Sequence, residues 1–302
     1  MTGPFAARVL MGFLALLLAA CTAGAPTTSE GASAQASASH VQSPEPTEQQ
    51  PEFLIVALGD SIPYNLADDC PGCIGFVDLY TDALAPQVGG EAGNSNRSRH
   101  DGAQTADVLE QLQSDQALLD DLAVADVIVM SLGFNDQPPF ADEHPGCPEP
   151  ISDTDSALDA ARLGAATSKA CIDNVVPVIR DQMAQVLQLI RAQAPDAPIA
   201  MLTAYDTWRG WSALDPVDKS TRTKLYEAET YWLHEWRDAM CAEAEAANAT
   251  CIDVYSAFNG ADGTDPPGDF VSADYTHPSQ AGNDRIRDLL VEADLVRTST
   301  YR

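Results

Sequence analysis

Basic side chains are scarce in this sequence. Its 302 residues carry 16 Lys and Arg against 45 Asp and Glu, a formal net charge of −29. A field of that sign repels polyanions and anionic surfaces. With no basic cluster and no nucleic-acid motif, DNA and RNA are excluded as partners. No internal repeat is present, and no Gly-x-Ser-x-Gly elbow, so the large α/β class of serine hydrolases built on that turn is excluded as well. What the chain has in ordinary supply is apolar material, 45%, enough for a full core.

The N-terminal end reads as a targeting segment. Arg8 is the only basic side chain in residues 1–20, Val9–Leu18 is apolar, and Ala19-Ala20 leads into Cys21. A run this short favours a signal over a spanning helix. Leu18-Ala19-Ala20-Cys21 resembles a bacterial lipobox, which implies lipidation at Cys21; an ordinary cleaved signal and a short uncleaved anchor are the competing readings. Residues 21–52 are rich in Thr, Ala, Ser, Gly, Pro, Gln and Glu without apolar periodicity, a composition that cannot offset the entropy of ordering. They form a disordered tether between an anchor and a domain, residues 53–302, at the outer face of a membrane.

Apart from Cys21 there are six cysteines, which in an exported chain imply disulfides. Six allow fifteen connectivities. Pairing nearest neighbours gives Cys70–Cys73, Cys147–Cys171 and Cys241–Cys251. Cys70-Pro71-Gly72-Cys73 has the form of a redox or metal motif, but it lacks a thioredoxin-like context and no second Cys/His pair stands at zinc spacing. No metal and no cofactor are expected.

From Phe53 onward strand-like and helix-like runs alternate. Phe53–Leu58, Asp126–Leu132, Pro198–Thr203 and Thr250–Tyr255 read as buried strands, with Gly89–Gly102 as a loop. Helical spacing covers Ile74–Leu84, Thr105–Leu122, Asp155–Ala170, Asp173–Ala192 and Asp215–Asn248, and a last helix opens at Pro278. The pattern predicts one α/β domain with a parallel sheet covered on both faces.

Chemistry is sought where such strands end. The first run stops at Gly59-Asp60-Ser61, which is either a nucleophile site or an ordinary turn with a helix N-cap. A serine nucleophile needs a base, a group to orient it and donors for the oxyanion. Of five histidines, His40 lies in the tether and His234 within a helical run. His100 and His144 lie in loops and stay open as candidates, though neither has an acid three residues earlier. Asp274-Tyr275-Thr276-His277 is the one D-x-x-H, between the last strand and the last helix. Gly133-Phe134-Asn135-Asp136 ends the second strand with a side-chain amide suited to an oxyanion, or simply with a turn.

Together these blocks resemble the SGNH (GDSL) hydrolases. Gly59-Asp60-Ser61-Ile62 is similar to the nucleophile block, with isoleucine for the usual leucine. Gly102 is similar to the second-block glycine, Gly133-Phe134-Asn135-Asp136 to the third block and Asp274-Tyr275-Thr276-His277 to the fifth. All four occur in the family's order across residues 53–297. The resemblance implies a flavodoxin-like three-layer α/β/α sandwich and hydrolysis of esters or thioesters. It implies Ser61 as nucleophile, His277 as general base then acid, and Asp274 as the orienting carboxylate. The oxyanion hole it implies is the Ser61 and Gly102 N–H groups with the Asn135 side chain.

Phe134, Trp208 and Trp211 lie near strand ends and either line a substrate pocket or pack. The expected function is a serine esterase at the cell surface: a lipase, an acyl esterase or a carbohydrate O-deacetylase. The alternative is a non-catalytic carbohydrate- or lipid-binding module on the same fold. The acidic charge favours a neutral ester substrate, and the chain is expected to act as a monomer.

Overall fold

Seven consecutive buried residues, Phe53–Gly59, form β1, an interior strand of the sheet in the computed structural model of the chain. Residues 51–140, 144–150 and 156–298 are described, all within one unit, Glu48–Arg302. The signal segment, Cys21 and nearly all of the tether lie outside the described residues. None of the described helices is long and apolar enough to cross a membrane.

Along the chain, α1 (Ser61–Tyr64) follows β1 directly, then α2 (Phe76–Val88), β2 (Ala92–Asn96), α3 (Thr105–Ser114), α4 (Gln116–Ala123) and β3 (Val127–Ser131). Next come α5 (Ala157–Ala166), α6 (Lys169–Gln193), β4 (Ile199–Leu202), α7 (Lys219–Ala246), β5 (Thr250–Ile252), α8 (Val254–Asn259), α9 (Gln280–Glu292) and α10 (Leu295–Thr298). All strands pair in parallel, in the order β2-β1-β3-β4-β5. That is the flavodoxin-like order, whose switch point lies between β1 and β3.

The alternation of side chains along each strand divides the core in two. Leu54, Val56 and Leu58 of β1, with Ile128 and Met130 of β3, face one layer, where they meet Val108, Leu118, Ile179, Met183, Trp232 and Trp236. Phe53, Ile55 and Ala57, with Val127 and Val129, face the other, against Phe76, Tyr80, Ile286 and Leu290. Each fully buried aliphatic or aromatic side chain contributes about 1.5–3 kcal/mol. An uninterrupted apolar strand is therefore what a two-sided sheet requires.

Several expectations need correction. β2 lies inside what reads as a loop: Ala-Gly-Asn-Ser-Asn has no apolar run because it is an edge strand, half-buried and paired to β1 alone. The last strand stops at Ile252, where Asp253 caps α8 by accepting from the Ser256 N–H at 2.9 Å. The helical run 105–122 is two helices, broken at Asp115, whose carboxylate caps the second. Pro278 precedes the last helix rather than opening it; Ser279 is the N-cap, and Pro278 bridges to Val271. All three disulfides pair nearest neighbours as expected: Cys70–Cys73, Cys147–Cys171 and Cys241–Cys251.

Asp60 leaves β1 fully buried. Its Oδ1 caps α1 by accepting from the Ile62 N–H at 3.0 Å, while Oδ2 has no hydrogen-bond partner among the described residues. Burial pushes its carboxyl up to about 7; the Ile62 N–H opposes this, Asp136 adds to it and His277 opposes it. A carboxyl with a folded pKa above its unfolded value leaves the folded chain holding the proton more tightly. Its contribution to stability is present at low pH and is lost as pH rises from about 4 to about 7. Asp60→Asn keeps a capping oxygen and cannot ionise. Its melting temperature relative to wild type should climb between pH 4 and pH 8, a change of a few kcal/mol at most, at about 1.4 kcal/mol per pKa unit. An offset constant with pH would contradict the assignment.

Candidate active site

Ser61 is the first residue of α1, directly beyond the carboxyl end of β1. The approach to it is tight. Gly59 has φ +143°, and a Cβ there would collide with the Ser131 carbonyl at the end of β3. The same carbonyl accepts the Asp60 N–H at 3.2 Å. On the other side the chain beyond β2 keeps following β1: Arg97 N–H donates to Ala57 O at 2.7 Å and Arg99 N–H to Gly59 O at 2.9 Å. This extension carries residues 97–102 to the strand ends, with Gly102 in the left-handed region at φ +75°.

The third block is tied to the second. Asn135 Nδ2 donates to Ala103 O at 3.0 Å, and an amide nitrogen has a second N–H to offer. Beside it the buried Asp136 accepts from Thr105 N–H at 3.0 and 3.1 Å and from Thr105 Oγ1 at 2.8 Å. Gly133 has φ +102°, and Trp236 lies where a side chain would stand, so only glycine fits. The asparagine is thus bonded to Ala103 and sits between two residues fixed in place.

The last block is a turn folded around one carboxylate. Asp274 Oδ1 accepts from Ser272 Oγ at 2.6 Å, Thr276 N–H at 2.9 Å and His277 N–H at 3.0 Å; Oδ2 meets His277 Nδ1 at 2.7 Å. The three-residue spacing follows from this: Asp274 shapes the loop and holds the ring with the same side chain. Burial works against its charge, but the His277, Ser272 and backbone donors outweigh it and hold the carboxyl far below the usual range. Burial likewise disfavours a charged His277, yet the bond and charge of Asp274, with Asp69 and Asp60 behind, carry its pKa above 6.5. Tyr205 Oη donates to Thr276 O at 2.8 Å and fixes the far side of the loop.

Among the described residues, His277 Nε2 has no hydrogen-bond partner; its Ser61 bond is not made here. Apo sites often hold such pairs loosely. Facing Nε2 is a carboxylate that sequence reasoning passed over, Asp69 Oδ2 at 3.5 Å. The same oxygen lies 2.8 Å from His100 Nε2. No local pattern announced Asp69, which sits in an irregular loop next to Cys70. Asp136 did have a signal, its place after Asn135.

Of the aromatic candidates, Trp208 is 4% exposed and packs with Leu214, Val217 and Leu225. Phe134 is half-buried against Tyr205, with ring centroids 5.8 Å apart. Trp211 stacks on Tyr275 at 6.2 Å, beside Asp274, and Phe140 stacks on Trp208 at 5.7 Å. Packing accounts for Trp208, whereas Phe140 is exposed. His144 is not brought to this cluster.

No curated protein sequence matches the chain. Among solved structures, a lipase from a goat rumen metagenome is 17% identical over 82% of this chain and 99% of its own, TM-score 0.59. A putative GDSL-like lipase from Parabacteroides merdae is 17% identical over 82% and 96%, TM-score 0.54. Phospholipase A1 from Streptomyces albidoflavus is 18% identical over 80% and 99%, TM-score 0.52. At such identities the likeness concerns the fold. The sequence model of the GDSL-like lipase/acylhydrolase family matches residues 57–285, a span that runs from β1 to α9 and takes in Ser61, Gly102, Asn135, Asp274 and His277. The chain belongs to that family and is a serine hydrolase of ester bonds.

Proposed function

We propose that Ser61 attacks the ester carbonyl, with His277 Nε2 taking its proton and Asp274 holding the ring. The observation that carries this is the Asp274–His277 bond: with Nδ1–H donated to an ionised carboxylate, neutral His277 has its lone pair on Nε2. The tetrahedral oxyanion is received by the Asn135 amide and the N–H groups of Ser61 and Gly102. His277 then gives its proton to the departing alkoxide, and water repeats the sequence on the acyl-enzyme.

The substrate we infer is a neutral ester, a short acyl ester or an O-acetyl group on an uncharged sugar. Asp60, Asp69 and Asp274 all stand within electrostatic reach of His277, and the whole chain is acidic. The enzyme works outside the cytoplasm, held by a lipid at Cys21. The lipobox-like segment and three disulfides support that location.

The deciding experiment is hydrolysis of p-nitrophenyl acyl esters, acetylated sugars and matched anionic esters, with Ser61→Ala as control. Ser61→Ala should stay folded and lose at least about 10³-fold in kcat. Neutral esters should lead at low salt. An anionic ester preferred at low salt and losing that lead as salt rises would refute the substrate reading.

Asn135→Ala should lower kcat by about 10²–10³-fold with little change in KM, since the donor acts on the transition state. A loss under about fivefold, little more than 1 kcal/mol, removes Asn135 from the oxyanion hole.

The base must be neutral to act, so kcat/KM should rise with pH. Because His277 is raised, the midpoint of that limb should lie above the ordinary imidazole value of about 6.5. A midpoint below it would point to a base not facing these carboxylates.

A further inference from the structure

Three potential ligand atoms meet at the mouth of the site: Asp69 Oδ2, His100 Nε2 and His277 Nε2, all within 4.8 Å of one another. Two of the separations, 2.8 and 3.5 Å, bracket the edge of a tetrahedron with zinc bonds of 2.0–2.1 Å, about 3.3–3.4 Å. The donor set is two imidazoles and a carboxylate, which suits zinc rather than magnesium or calcium. Two further observations point to a ligand. Among the described residues, His277 Nε2 is buried and without a hydrogen-bond partner. Its other nitrogen is held by Asp274, the carboxylate–histidine arrangement that orients metal-bound imidazoles and makes them better donors.

The elements around the cluster keep it in place. The loop carrying Asp69 is closed by Cys70–Cys73. It is fastened to α9 where Ile74 N–H donates to Gln280 Oε1 and Phe76 N–H to Asn283 Oδ1, each at 2.9 Å. His100 lies between Tyr64 and His277, with ring centroids 5.4 and 6.0 Å away. Its side chain is 35% exposed, which leaves the cluster open to an ion from solvent.

We propose that Asp69, His100 and His277 form an inhibitory site for a divalent transition metal such as zinc. This rests on the reading of His277 as base. The Nε2 lone pair that would bind the metal is the one that takes the Ser61 proton, so one atom cannot serve both at once. Coordination uses a lone pair of Asp69 Oδ2, that of neutral His277 Nε2 and that of His100 Nε2, whose proton toward Asp69 first moves to Nδ1 or leaves to solvent; water takes the fourth position and nothing is oxidised. Zinc therefore removes active enzyme reversibly and lowers kcat without altering KM.

The test uses the full chain, stripped with EDTA and dialysed against zinc sulfate in a non-phosphate buffer, with bound zinc and p-nitrophenyl acetate hydrolysis both measured. Expected are one tightly bound zinc per chain, inhibition that follows its occupancy, recovery with excess EDTA, and no inhibition by magnesium or calcium. His100→Ala and Asp69→Asn, each read against its own metal-free rate, should weaken zinc binding and inhibition together by at least about tenfold. Ser61→Ala should bind zinc as wild type does. Binding indifferent to His100→Ala and Asp69→Asn, or matched by calcium, would mark diffuse association with an acidic surface and overturn the site. Zinc held through His100 without inhibition would overturn the inhibitory role. Zinc held through His100 by a chain that hydrolyses no ester even when stripped would refute the hydrolase reading instead.

Discussion

At Gly59 there is no room for a side chain, and much of the site follows from that. The β1–β3 contact is close enough that the Ser131 carbonyl occupies the space a Cβ would need. The same carbonyl accepts the Asp60 N–H. Ser61 and Asn135 are both delivered from this contact, one just beyond β1 and the other four residues beyond the end of β3. Between β1 and β3 the order of connection reverses, so the crossovers leave to opposite sides and a crevice stays open. A larger residue at 59 would move Ser61 and Asn135 apart before it changed either one's chemistry.

The parts of the fold that sequence made legible are those governed by burial. Phe53–Leu58 and Asp126–Leu132 are apolar because both faces of the sheet are covered, and no polar pattern competes with that signal. β2 was not legible because an edge strand is specified by its neighbour: Ala92–Asn96 is held by the backbone of β1 and carries no run of its own. Ser61, Asn135, Asp274 and His277 were legible as local patterns, each at the end of an element. Asp69 and His100 were not. They are brought together by tertiary structure from an irregular loop and from the extension of β2, and a pair thirty-one residues apart leaves no trace in spacing.

Carboxylates near His277 are used in different ways. Asp274 gains four donors and stays ionised at the cost of partial burial. Asp60 gains one donor on one oxygen, loses all solvent, and is pushed up to about 7. The contrast is one of hydrogen bonding against desolvation. It also divides the roles. Asp274 supplies a fixed negative charge for the imidazolium, whereas Asp60 serves the backbone as the cap of α1. The turn-and-cap reading of Gly-Asp-Ser and the nucleophile reading are therefore compatible, because they fall on adjacent residues.

The third carboxylate, Asp69, changes what His277 can do. Its oxygen lies between two imidazole nitrogens, and at 3.5 Å it faces the atom proposed to take the Ser61 proton. If the imidazolium forms during ester cleavage, Asp69 stabilises it from the side opposite Asp274 and favours proton uptake. The same charge makes giving that proton to the leaving group harder. A histidine held between two carboxylates is thus a stronger base and a weaker acid than one held by Asp274 alone. The same Asp69 oxygen also lies 2.8 Å from His100 Nε2, so one carboxylate faces both imidazoles.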